Sequence, residues 1–229
     1  MKKTFFNNNS KDKQYIVIGC GRFGSAVATK MSEFGNEVMV IDKDEDAIDD
    51  IAEKVTHAAI LDVTDERSLK SIGLGNFDVA IVALSADIRA SIMATIMAKE
   101  LGVPKIVCKA KDELQAKVLY KVGADKVVFP ERDMGVRLAY SLASENILDQ
   151  INLDPEYSII EIVTPQSWVG KTIIELNLRA KYDITVLAVK TKSGLKVMPS
   201  PKYKMEEENI LVIIGNIDKI NDIISNQEF

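Results

Sequence analysis

Residues 15–24 read YIVIGCGRFG, an apolar run followed by three glycines spaced as G-x-G-x-x-G. Such a run is typical of a buried strand that turns directly into a helix. In that setting Gly19 permits the tight turn, Gly21 lets the main chain approach a pyrophosphate, and Gly24 allows the helix to pack closely on the strand. The phosphates would meet the positive end of a helix that begins near Phe23. The stretch therefore predicts a nucleotide-binding βαβ unit.

A carboxylate ends the second predicted strand at Asp42, where it can accept hydrogen bonds from both ribose hydroxyls. The same charge repels a 2′-phosphate, so the pattern favours an adenosine nucleotide of the NAD or ATP/ADP type over NADP. Asp62 ends the third strand and would either lie on the adenine side of the crevice or cap the next helix. Lys43 and Val63, which follow these two acids, complete this part of the predicted nucleotide site.

Apolar runs bounded by turn residues alternate with amphipathic segments in the first part of the chain, which is typical of a parallel sheet built from βαβ units. The predicted strands are residues 15–19, 37–42, 57–61, 79–83, 105–109 and 126–129. Residues 88–101 predict a helix whose core-facing stripe is formed by Ile92, Met93, Ile96 and Met97. The predicted fold class is α/β, with a Rossmann-like doubly wound parallel sheet.

The pattern changes after Pro130. Residues 131–151 predict a long helical stretch leading out of the sheet, and residues 152–157, with Pro155, predict a hinge. From Ser158 onward, short strands and helices predict a small α+β unit, near the lower size limit of an independent core, so we expect it to dimerise. The predicted organisation is a disordered tail at 1–14, a nucleotide-binding domain at 15–150 and a C-terminal domain at 151–229.

Composition argues against several classes of protein. The formal net charge of −5, with lysines scattered among carboxylates, argues against nucleic-acid binding. Cys20 and Cys108 are the only cysteines and cannot form a disulfide framework, which favours a reducing compartment. No apolar run has the length of a signal-peptide core or a membrane span. We therefore expect a soluble, cytoplasmic protein without direct membrane insertion.

Few residues are available for enzyme chemistry. A dehydrogenase needs a group that exchanges a proton with its substrate, and the single histidine, His57, falls at the start of a predicted strand, which is the wrong end for the cofactor. The sequence has no P-loop, no Tyr-x-x-x-Lys arrangement and no zinc-ligand cluster. We expect no enzymatic activity. A lysine or carboxylate mechanism stays open, and a small NAD-dependent oxidoreductase or redox-sensing protein is the alternative.

Arg22 lies between the second and third glycines of the loop. A guanidinium there would be a permanently charged, forked donor beside phosphates that main-chain N–H groups already bind, which suits a ligand whose number of phosphates varies. An ordinary solvent-facing arginine in the first helical turn is the other interpretation.

Several separated segments occur together and in order: VIGCGRFGSAVA, VMVIDKDED, HAAILDVTDE, VPKIVCKAKD, GADKVVFPERDMGVRLA, LNLRAKYDITVLAVK and ENILVIIG. From Tyr15 onward the chain thereby resembles the cytosolic regulatory subunits of Ktr/Trk potassium uptake systems, the RCK (KTN) family with TrkA_N and TrkA_C domains. The resemblance implies homodimers that assemble into an octameric ring, docked on the inner face of the membrane against a potassium-translocating subunit. In this family ATP opens and ADP closes the pathway.

The resemblance also implies roles for individual residues. Arg22 matches the arginine that reaches the γ-phosphate, including that of a neighbouring subunit's nucleotide, and Asp42 matches the ribose acid. Lys109 matches a phosphate-side lysine. Glu131 matches a carboxylate that contacts ribose or helps to hold Mg²⁺, Ca²⁺ or Na⁺, provided that water and phosphates complete the shell.

The C-terminal part resembles a module that binds cyclic di-AMP at its dimer interface in many members of the family and closes the channel. Arg179 matches the arginine that contacts the phosphate of the dinucleotide, and Ile173, Ile184 and Pro201 would line the base pocket. A phosphate diester on a two-fold axis suits one arginine from each chain. A plain dimer contact without ligand is the alternative.

Overall fold

The computed structural model describes residues 13–84, 86–143, 147–154 and 156–226. The predicted tail lies outside these residues except for Lys13 and Gln14, and so does Pro155 of the predicted hinge. The chain divides into two compact units, Met1–Arg132 and Asp133–Phe229.

The first unit contains a sheet of six strands, all parallel. They are β1 (Gln14–Ile18), β2 (Glu37–Asp42), β3 (His57–Ile60), β4 (Val79–Val82), β5 (Lys105–Lys109) and β6 (Lys126–Val128). Each lies within one residue of its predicted bounds. The order β3-β2-β1-β4-β5-β6 confirms the Rossmann-like doubly wound sheet. The winding direction reverses between β1 and β4, and ligands of such sheets bind at the carboxyl ends of the strands at this point.

Helices follow the strands: α1 (Arg22–Glu33), α2 (Glu45–Ala52), α3 (Glu66–Ser71), α4 (Ile88–Glu100), α5 (Glu113–Lys121) and α6 (Pro130–Ala143). Aspartates cap the N-termini of α2 to α5, and each accepts a bond from a main-chain N–H of the first turn: Asp44, Asp65, Asp87 and Asp112. Helix α1 instead begins after Gly21 without a side-chain cap. Its first N–H groups therefore remain available to an anion.

The buried face of α4 differs from the predicted stripe. Met97 is buried and Ile92 is partly buried, as predicted, but Met93 is 36% exposed and its assignment to the core was wrong. The fully buried positions are taken largely by small residues, Ala90, Ser91, Ala94, Thr95 and Ala98. Small side chains let the helix lie close to the sheet, and the larger Met93 lies outside this buried face.

The second unit is built on an antiparallel sheet of five strands, in the order β10-β9-β11-β8-β7. These strands are β7 (Ile147–Asn152), β8 (Tyr157–Val163), β9 (Ile184–Thr191), β10 (Gly194–Val197) and β11 (Ile210–Asn216), with helices α7 (Ile173–Leu176), α8 (Leu178–Tyr182) and α9 (Ile217–Asn226). Its core contains Trp168, Ile160, Ile162, Leu211 and Ile213. The predicted small α+β unit is confirmed.

Strand β7 corrects the prediction of helix through residue 151. Helix α6 ends at Ala143, and β7 pairs antiparallel with β8, so the described residues of the predicted hinge, 152–154 and 156–157, lie where one strand turns back into the next. Asp154 holds that turn by accepting bonds from the main-chain N–H groups of Glu156 and Tyr157. The register shifts near the start of β7, so the two buried residues, Ile147 and Gln150, are three apart. That spacing imitates a helical period, which explains the error.

Candidate functional site

The three glycines of the loop differ in how much space a side chain would find at each position. Gly19 has φ of +104°, and a Cβ atom there would lie 2.8 Å from the Leu84 side chain. A Cβ atom on Gly24 would lie 1.9 Å from the carbonyl oxygen of Gly19, whereas one on Gly21 would meet nothing within 4 Å. The loop thus needs Gly19 for its turn and Gly24 for helix–strand packing, while the space beside Gly21 is open.

Asp42, the last residue of β2, is hydrogen-bonded to the glycine loop. Its Oδ2 accepts a hydrogen bond of 2.6 Å from the main-chain N–H of Cys20, and its Oδ1 accepts one of 3.1 Å from that of Asp44. A carboxylate offers about four acceptor positions. Asp42 therefore orders the loop and keeps capacity for ligand hydroxyls.

A cavity of about 240 Å³ lies at the carboxyl ends of β2 and β3. Four residues of the predicted nucleotide site line it: Asp42, Lys43, Asp62 and Val63. The other lining residues were not predicted as site residues: Leu61, Thr64, Leu84, Asp87 and Ala90. The doubly wound topology itself could have pointed to Leu84, because the segment after β4 borders the point where the winding reverses.

Asp62 has a local role that differs from helix capping. Its Oδ1 accepts bonds from the hydroxyl and the main-chain N–H of Thr64, and these bonds, the hydroxyl first, lower the pKa of Asp62. Asp65 is the residue that caps α3. Asp62 is therefore an ionised group that holds a turn at the rim of the cavity.

On the other side of the loop, the structure brings together Arg22, Phe23, Lys109 and Glu131. Arg22 is the exposed first residue of α1. The Lys109 Nζ atom lies 2.6 Å from Glu131 Oε1 and 5.7 Å from the centroid of the Phe23 ring. The hydrogen bond from Lys109 is the main cause of the lowered pKa of Glu131, to which the charge of Arg22 also contributes. Two cations and one carboxylate thus stand together on this side of the glycine loop.

Glu131, the residue predicted to help hold a cation, does not belong to a cluster of metal-ligating side chains within the described residues. Among the residues that the structure describes, no group of three or more acidic, histidine or cysteine side chains could hold a metal ion. Glu131 supplies a single carboxylate, which Lys109 binds. The described residues do not by themselves fit a resident metal ion.

The residues of the second unit that are predicted to bind a ligand differ in exposure: Arg179 lies at the surface, whereas Ile184 lies in the core. The main-chain N–H groups of Ile173 and Ile174 donate hydrogen bonds to the carbonyl oxygens of Tyr203 and Pro201, respectively. The start of α7 therefore lies beside the segment around residue 201. Arg179 is exposed on α8. The side chain of Ile184 is only 1% exposed and packs in the core of the unit.

Both cysteine thiols are buried and have raised pKa values, the opposite of what a redox-active thiol requires. Cys108 is buried, and burial raises its pKa to about 11; burial, followed by the charge of Asp42, also raises the pKa of Cys20. At pH 8 both thiols should therefore stay protonated and unreactive. We expect Ellman's reagent to modify neither cysteine in the folded protein within minutes, and both after unfolding. Rapid modification of the native protein would favour a redox sensor.

Two further observations bear on the class of protein. His57 is the first residue of β3, at the end of the strand away from the cavity. Within the described part of the chain, no helix combines the length and the apolar character needed to cross a membrane.

Comparison with known proteins shows the family of this chain. Residues 15–130 match the TrkA-N domain and residues 157–227 match the TrkA-C domain. The chain is 44% identical to the Ktr system potassium uptake protein C of Bacillus subtilis, covering 91% of this chain and 95% of that protein. It is 43% identical to the Ktr system potassium uptake protein A of the same organism, covering 90% and 93%.

A solved structure shares the fold. The GsuK channel bound to NAD superposes with a TM-score of 0.66 at 17% identity, covering 96% of this chain and 40% of that one. The chain thus spans less than half of that channel, and the likeness concerns the fold alone. Taken with the two matching domains and the identity to the Bacillus proteins, the chain belongs to the Ktr/Trk potassium uptake family with TrkA-N and TrkA-C domains.

Proposed function

We propose that this chain is a non-enzymatic regulatory subunit of a Ktr/Trk-type potassium uptake system, controlled by ATP and ADP bound in its first unit. The observation that carries the proposal is the arrangement around the glycine loop. A cavity of about 240 Å³ that Asp42 helps to line lies on one side, and Arg22 and Lys109 stand on the other. The names of the Bacillus relatives support the link to potassium uptake.

In the proposed complex, adenosine occupies the cavity beside Asp62 and Val63, and its ribose hydroxyls bind Asp42. The pyrophosphate lies against Gly21 and the uncapped N-terminus of α1, where main-chain N–H groups and the helix dipole favour anions. Lys109 and Arg22 bind the outer phosphates. ATP then differs from ADP by the contacts of one additional phosphoryl group with Arg22.

Control follows from unequal binding. Two ligands shift an equilibrium between ring conformations only by the difference in their affinities for each conformation. Homodimers arranged as an octameric ring would add the small difference at each Arg22. The ring would act on a membrane potassium-translocating subunit from the cytoplasmic face. A cation, Mg²⁺, Ca²⁺ or Na⁺, could bind only together with phosphate oxygens, beside Glu131.

Binding and uptake assays test this function. Thermal shift with ATP, ADP, NADH and cyclic di-AMP should give distinct responses to ATP and ADP. Expression in a bacterium lacking its own Ktr regulatory subunit should restore growth at low potassium when the matching membrane subunit is present. Stabilisation by NADH alone, with turnover of a hydroxy acid, would instead identify an oxidoreductase.

We further propose that the second unit binds cyclic di-AMP between two copies, with Arg179 on the phosphate and Ile173 and Pro201 beside the bases. Ile184 would support this surface from the core. Replacing Arg179 with alanine should weaken binding about tenfold or more, because a charge-assisted bond is lost from each chain. Calorimetry on the full chain measures this, with Lys181→Ala, an exposed cation of the same helix, as the matched control. Equal losses in both variants would contradict a specific role for Arg179.

A further inference from the structure

The ion pair between Lys109 and Glu131 is asymmetric in its exposure. The Lys109 side chain is 11% exposed and the Glu131 side chain 69% exposed, with 2.6 Å between their charged atoms. Moving an exposed carboxylate into water costs little, whereas leaving a buried ammonium without a counter-charge is costly. Lys109 should therefore keep an anionic partner at all times, but that partner can be exchanged.

Glu131 lies where an incoming anion would compete with it. Lys109 is the last residue of β5 and Glu131 belongs to the first turn of α6, so both stand at the carboxyl edge of the sheet. The charge of Arg22 acts on the same carboxylate, and the ring of Phe23 lies close to the Lys109 ammonium. Carboxylate and phosphate oxygens bind the same cationic donors. The Glu131 carboxylate thus lies among the groups to which we assign the ligand phosphates.

We infer that Glu131 is an internal competitor: it occupies Lys109 when no ligand is bound, and a phosphoryl group binds by displacing it. The inference rests on the function proposed above and adds a positioning and selecting role for Glu131. Displacement exchanges one anion for another, so Lys109 is never left unpaired. The released carboxylate moves into water or toward a cation that accompanies the phosphates.

The competitor should select ligands by their phosphates. Adenosine has no group that can replace the carboxylate on Lys109, so its affinity should not depend on Glu131. ADP brings phosphoryl oxygens to Lys109 and must displace Glu131. Removing the negative charge of Glu131 should therefore strengthen ADP binding and leave adenosine binding unchanged.

Calorimetry with ADP and adenosine, in buffer containing EDTA to remove divalent cations, tests this. Glu131→Gln keeps the shape of the side chain and should bind ADP about tenfold tighter, on the scale of one hydrogen bond to a charged group. Glu131→Ala should give the same gain. Glu113→Gln is the matched control, because Glu113 carries the same charge, pairs with Arg132 at 2.5 Å, and both side chains of this pair are exposed. Its affinity for ADP should stay within about threefold of the original.

A double variant separates local competition from a general change in charge. In a Lys109→Gln background, the gain from Glu131→Gln should disappear or shrink strongly, since the contested partner is gone. Each variant is first checked by thermal unfolding, in which a cooperative transition shows that the variant is folded.

Each of the following results would overturn the inference. Unchanged or weaker ADP binding by Glu131→Gln would do so, and so would an equal gain from Glu113→Gln or a gain that persists without Lys109. An equal gain for adenosine would also contradict displacement by phosphate. If the original protein binds ADP and the Glu131 variants bind it equally, only the competitor role fails. If the original protein binds neither ATP nor ADP, the proposed function fails with it.

Discussion

Replacing Gly24 with alanine should destabilise the first unit and abolish nucleotide-dependent stabilisation. The new methyl group would lie 1.9 Å from the carbonyl oxygen of Gly19, and main chain cannot move away as a flexible side chain can. Alanine would add about 1 kcal/mol of helix propensity. A clash that shifts the main chain typically costs about 1–3 kcal/mol, occasionally more, and contact at this distance belongs at or above the upper end. The cost of the clash should therefore exceed the gain in helix propensity. Thermal unfolding should show a midpoint lowered by roughly 5 °C or more.

Gly21→Ala is the matched control for this prediction. Gly21 has extended backbone angles, and a Cβ atom there meets nothing within 4 Å, so the fold should lose no more than about 1 kcal/mol. Nucleotide affinity should nevertheless fall, because the methyl group would occupy the open space to which the pyrophosphate is assigned. Equal stability of the Gly24 variant and the original protein would contradict the packing role of Gly24. Unchanged affinity in the Gly21 variant would contradict the assigned position of the phosphates.

Replacing Arg22 with alanine should leave ATP and ADP binding in place but remove most of the difference between them. The nucleoside contacts of the cavity and the main-chain donors of the loop remain in this variant. The extra phosphoryl group of ATP loses a charge-assisted bond, which contributes about 1.5–3 kcal/mol. We therefore expect the ratio of the two affinities to change by roughly 10-fold to 100-fold. Calorimetry with each nucleotide measures this ratio.

The control for Arg22 is Arg67→Ala, which removes the same charge from an exposed position on α3. This variant should discriminate between ATP and ADP as the original protein does. If Arg22→Ala discriminates equally well, Arg22 is a solvent-facing residue and the nucleotide must be sensed elsewhere. If both variants lose discrimination, overall charge is responsible and the specific contact is wrong.

The first unit was largely predictable because its signals are local. An apolar run, a glycine or an aspartate acts on its own neighbours, and the predicted strands accordingly lie within one residue of those in the structure. Asp65 at the cap of α3 and the tight contact at Gly24 are of the same kind. Family membership, too, follows from sequence segments and agrees with the two matched domains.

Errors arose where a local pattern had two interpretations. The spacing of Ile147 and Gln150 suits both a helix and a strand with an irregular register, and only pairing with β8 selects the strand. Met93 belongs to an apolar stripe, but the small residues of α4 occupy the face against the sheet. Periodicity shows that some face is buried and does not show how closely the neighbouring element approaches.

In the first unit, the sequence by itself determined the order of strands and helices along the chain, the glycine loop and the acid at the end of β2. Only the tertiary structure decided that Asp42 binds the main chain of Cys20, that Leu84 and Asp87 line the cavity, and that Lys109 is paired with Glu131. These contacts join separate strands and helices whose ends meet at one edge of the sheet. Their distances depend on packing across the whole unit, and no local pattern encodes that packing.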